Sequence, residues 1–90
     1  MAKRSELSNL LVDIGARIAA ARGAAQLTQE AAAAQAGIDY KRWQQLEAGR
    51  ANVTIKTLCR VAVALGASWE TIAVGERGGP RKVGVRAPKR

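Results

Sequence analysis

Few residues in this 90-residue chain have side chains suited to covalent chemistry. There is no histidine, Cys59 is the one cysteine, and the seven carboxylates form no cluster. A metal set, a general base with its nucleophile and a glycine-rich phosphate loop are all missing, so the chain reads as a non-enzyme without metal or cofactor. A single cysteine also forms no intrachain disulfide, and Cys59, on a stretch of helical period, reads as a small buried apolar residue. Hydrogen-bond donors are better supplied. Lys41, Arg42, Gln44 and Gln45 follow one another closely: lysine can donate to guanine O6 and N7, glutamine can bond adenine bidentately, and arginine grips phosphate.

The formal charge of +8, with a pI near 10.9, implies a polyanionic partner, because such a surface attracts phosphates and releases their counterions on contact. Nucleic acid fits better than a membrane. No segment approaches the ~20 apolar residues that span a bilayer, and the start Met-Ala-Lys-Arg-Ser lacks the apolar run of a signal peptide, so a cytoplasmic location is expected. Most of the excess charge lies in residues 75–90, where six basic side chains stand against Glu76 among four glycines and both prolines. That stretch shows no helical or strand period and is expected to be a flexible tail that adds affinity for phosphates without choosing bases.

Residues 5–74 form one small domain, with no internal repeat. Apolar residues recur there at helical intervals, in blocks each preceded by a side chain that can cap a helix. The pattern predicts an all-α fold of five helices: about Glu6 to Ala24 behind Ser5, Gln29 to Ala36 behind Thr28, Tyr40 to Ala48 behind Asp39, Ile55 to Leu65 behind Thr54, and Trp69 to about Val74 behind Ser68. Gly37, Gly49 and Gly66 stand where three of these must end. Leu7, Leu11, Ile14, Ile18 and Ala21 form one stripe of the first helix, and Leu58, Val61, Ala62 and Leu65 the inner face of the fourth. With phenylalanine absent and Tyr40, Trp43 and Trp69 the sole aromatics, the core must be built of small and aliphatic residues. Two short helices about a glycine turn are the spacing that presents one of them to a DNA major groove.

These residues carry a family resemblance. The set Ile14-Gly15-x-Arg17-Ile18-x-x-x-Arg22, Leu27-Thr28-Gln29-Glu30-x-x-Ala33, Gly37-Ile38, Leu46-Glu47-x-Gly49 and Leu58-x-x-Val61-Ala62-x-Ala64-Leu65-Gly66 resembles the phage-repressor-like helix-turn-helix family of Cro and Xre type. Within it, Asn52-Val53-Thr54-Ile55-Lys56-Thr57-Leu58 looks most like the controller proteins of restriction-modification systems, dimeric regulators of their own operons. The chain departs from the family pattern at Ala32, where leucine is usual, at Trp43, where isoleucine or valine is usual, and at Val53, where proline is common. The first two can offset each other if the indole fills the space the leucine leaves. Trp43 therefore reads as core, with base stacking as the other reading.

The resemblance implies a sequence-specific regulator that binds double-stranded DNA as a homodimer, its third helix in the major groove. Asp39, Tyr40, Lys41, Gln44 and Gln45 take the base-contacting positions, although Asp39 reads first as the cap of the third helix. Gln29, Arg42, Arg50 and Lys56 are the candidate phosphate contacts, and Arg22 with Glu47 matches the family's structural ion pair. Trp69, Ile72 and Val74, with the outer face of the fourth helix, are expected to pair the subunits. The rival reading is an antitoxin-like module that grips a partner protein and holds DNA second; the basic, glycine-rich tail favours nucleic acid. A sequence-neutral nucleic-acid binder is the third reading.

Overall fold

The computed structural model describes residues 2–75. The proposed tail thus lies, but for Gly75, outside the described residues. Five helices follow in order: α1 (Ala2–Ala24), α2 (Gln29–Ala36), α3 (Tyr40–Glu47), α4 (Ile55–Leu65) and α5 (Trp69–Ala73). There is no strand among the described residues. The expected caps are in place: the Thr28, Asp39, Thr54 and Ser68 side chains accept from the backbone N–H groups of Ala31, Arg42, Thr57 and Thr71.

The first four helices close in the same way. A residue just past the helix takes a left-handed conformation, and its own N–H and that of the following residue fold back onto orphan carbonyls. For α2 this is Gly37 (φ 70°), whose N–H reaches Ala34 O while that of Ile38 reaches Ala33 O. For α1 it is Gln26 (φ 60°), with Leu27 N–H donating to Arg22 O. No glycine marks that end, and the turn is kept because Leu27 packs against the core.

The start of α1 departs from expectation. The helix runs back to Ala2 and is not capped at Ser5. Nothing in Ala2-Lys3-Arg4 breaks a helix, and these residues favour it intrinsically. Its first turns overhang the domain. Ile14 and Ile18 are buried and Leu11 is half-buried, whereas Leu7, a turn earlier, is 52% exposed.

The core joins Ile14 and Ile18 of α1, Ala32, Ala33 and Ala36 of α2, Trp43 and Leu46 of α3, Leu58, Val61, Ala62 and Leu65 of α4, and Ile72 of α5. Trp43 is fully buried in the cluster that holds Ala32, in line with the offset of volumes. Two assignments are corrected. Ile72 is wholly buried, so it belongs to the subunit's own core and offers nothing to a second subunit. Cys59 is exposed, not buried: α4 buries positions 58, 61, 62 and 65, and residue 59 lies roughly 100° around the helix from Leu58.

Candidate nucleic-acid interface

The α2–turn–α3 unit presents α3 with one face inward and the other to solvent. Trp43 and Leu46 are buried; Tyr40, Lys41, Arg42, Gln44 and Gln45 are exposed. Lys41 and Gln45, four residues apart, share the outer face. Asp39 closes the start of α3, its Oδ2 accepting from Arg42 N–H at 3.3 Å. Arg50 and Lys56 are exposed in the loop after α3 and in the first turn of α4.

Two features hold α3 in place. The first is a close approach to α1. A Cβ on Gly15 would stand 2.5 Å from the carbonyl oxygens of Leu46 and Glu47, so only glycine lets α1 pass the C-terminal turn of α3 at this distance. Beyond that turn, a Cβ on Gly49 would come within 2.7 Å of Val12 Cα.

The second is a polar cluster around Glu47. Its Oε2 accepts from Arg22 Nε and, at 2.7 Å, from Trp43 Nε1. Its Oε1 accepts from Arg22 Nη2 at 3.1 Å and from Gln29 Nε2 at 2.8 Å. These donors occupy the roughly four lone-pair sites of a carboxylate, and they come from α1, α2 and α3 together. Arg22 adds a bond from Nη1 to Leu27 O at 3.0 Å, fastening the α1–α2 turn to the same cluster. Burial pushes the Glu47 carboxyl up, but the hydrogen bonds from Arg22, Gln29 and Trp43, with the arginine's charge, outweigh it and hold the group below the usual carboxylate range. The bond to Glu47 raises Arg22 in turn, against its partial burial.

The expected Arg22–Glu47 pair is thus present, and it is the sole ion pair among the described residues. Lys41, Arg42, Arg50 and Lys56 have no carboxylate partner within that set, so their charge is free to act outward. Gln29 is half-buried and engaged with Glu47, a contact its place in the phosphate-binding pattern does not suggest. Sequence reading also passed over the Trp43–Glu47 bond, although the spacing of four on one helix was a usable signal. It gave no role to Arg17, whose Nε and Nη2 donate to the carbonyls of Ile72 and Ala73 at 2.7 and 2.8 Å and so close the end of α5. Those partners lie 55 and 56 residues away, beyond any local pattern. Among the described residues no helix is long and apolar enough to cross a membrane.

Comparison with known proteins agrees with this geometry. The helix-turn-helix domain family matches residues 13–74. Among solved structures, the restriction-modification controller protein C.AhdI from Aeromonas hydrophila is similar, with 31% identity and a TM-score of 0.67 over 69% of this chain and 94% of that one. No match was found among curated proteins. With α2, the Gly37 turn and α3 arranged as described and the match spanning the domain, the chain belongs to the helix-turn-helix family of DNA-binding transcription regulators.

Proposed function

We propose that the chain is a sequence-specific regulator that binds operator DNA as a symmetric homodimer, with α3 in the major groove, in the manner of a restriction-modification controller. The observation that carries this reading is the division of α3: Trp43 and Leu46 anchor one face, Glu47 tethers its end, and the donors of Tyr40, Lys41, Gln44 and Gln45 project from the other. A helix fixed on one side and polar on the other is suited to reading base edges. Likeness to the Aeromonas hydrophila controller supports the narrower assignment.

Selection of a preferred DNA from a random pool, followed by alanine substitution, tests the proposal. Lys41→Ala and Gln45→Ala should each cost about 1–3 kcal/mol on the selected site and relax preference at one or two base positions. Equal losses on selected and scrambled DNA at one salt concentration would show that α3 does not read bases.

A second reading, a module that grips a partner protein, draws on one observation. A groove of about 370 Å³ runs between Leu7, Leu10 and Leu11 of the α1 overhang and Val53, Ile55 and Leu58. Residues 2–12 of this overhang precede the family match. Absence of any preferred DNA in the selection would make this the better account.

A further inference from the structure

We propose that Gln29 is a positioning residue for α3: acting through Glu47, it sets discrimination between DNA sequences and does not merely grip the backbone. The inference rests on α3 being the base reader. Gln29 opens α2 and Glu47 ends α3, so the 2.8 Å bond from Gln29 Nε2 to Glu47 Oε1 joins the start of one helix to the end of the next. The Gly37 turn joins their other ends. The two helices are thereby pinned at both ends, and the angle between them is fixed.

Three properties make this bond effective. It ends on an ionised carboxylate, so it is stronger than a bond between neutral groups. The Glu47 side chain is 8% exposed, so water cannot readily take the place of the amide. The bond also sets the plane of the Gln29 carboxamide, which has a second N–H and a carbonyl oxygen left over. A phosphate taken up by those remaining atoms would meet a group already locked to α3. Backbone contact and the placement of the base-reading face would then form one rigid unit, in the same way that supporting hydrogen bonds hold a binding residue to its productive geometry.

A simple phosphate clamp behaves otherwise, because phosphates carry no sequence information and loss of a clamp weakens all DNA alike. The test measures affinities of the full chain for a selected DNA and for scrambled DNA at one salt concentration, comparing wild type, Gln29→Ala, Gln29→Met and Arg50→Ala. Alanine favours the helix and methionine keeps the length of the stem without a donor, so at least one variant at position 29 keeps its fold by circular dichroism. Arg50→Ala should lower both affinities by the same factor. The Gln29 variants should lose on the order of tenfold more on the selected DNA than on the scrambled one. In the free protein they should also shift the indole N–H resonance of Trp43, which shares Glu47 with Gln29. Equal losses on both DNAs overturn the inference and leave α3 a reader. A wild type that binds both DNAs equally overturns that reading and this inference together.

Discussion

Glu47 is the one residue on which α1, α2 and α3 all close, and its charge is what its donors were folded to meet. Burial is the largest single influence on this carboxyl, and had it outweighed the hydrogen bonds and the arginine's charge together the group would be raised above its ordinary range. The hydrogen bonds and the arginine's charge together prevail over it, and the folded value lies below the ordinary one of about 4.3. A carboxylate depressed in this way contributes stability that is fully present above its unfolded pKa and is lost as pH falls through its folded pKa. Glu47→Gln leaves Arg22 without its countercharge and two other donors with a weaker acceptor. It should cost about 1–3 kcal/mol at pH 7, the loss of charge-assisted hydrogen bonds in a part-buried pair. Denaturant unfolding from pH 7 to pH 3 checks this, because wild type loses the same interaction in acid and the gap to the variant should narrow below about pH 4. A gap that stays constant over that range would mean the charge of Glu47 does not support the fold.

At the scale of elements, placement of α3 depends on the absence of a side chain. Gly15→Ala would drive a methyl group into the Leu46 and Glu47 carbonyls, and rigid backbone lies on both sides of the clash. We expect a loss of roughly 1–3 kcal/mol in thermal or denaturant unfolding, with DNA affinity reduced because α3 must move outward. Unchanged stability and affinity would show that α1 can withdraw without cost. Local grammar made the ends of α2, α3 and α4 legible in the sequence, because each cap and each left-handed glycine adjoins the helix it closes. The start of α1 was not legible, since no stop signal precedes Ser5. Cys59 was misplaced by residue type, since it lies off the inner face that the period of α4 marks, whereas Ile72 was misplaced because burial depends on which face a distant element covers. Arg17 shows the same limit, its acceptors being supplied by the far end of the chain. The exposed donors of α3 could be named from family pattern, but the bond that turns Gln29 inward depends on how α2 and α3 pack.

For the whole molecule, the proposed symmetric dimer would carry two copies of α3 about 34 Å apart, matched to half-sites one DNA turn apart. With Ile72 assigned to the core, the proposed pairing surface would have to be built from what α4 and α5 leave outside. Trp69 at the start of α5 is 46% exposed and Val74 just past its end is 60% exposed, while Ile55 and Val63 of α4 are exposed to 70% and 81%. Arg17 holds the end of α5, the helix that Trp69 opens, against α1. A tryptophan with an apolar body at an interface is a frequent anchor, whose removal costs about 2 kcal/mol or more. Trp69→Ala should therefore weaken self-association by at least roughly tenfold in sedimentation equilibrium. Operator binding should weaken with it, because each half-site then has to be held without the tether of the other subunit. Because Trp69 is half outside the core and Trp43 is wholly inside it, the variant should keep its helical content. Wild-type protein that sediments as a monomer at tens of micromolar, with DNA affinity unchanged by Trp69→Ala, would exclude this surface as the link between two reading heads.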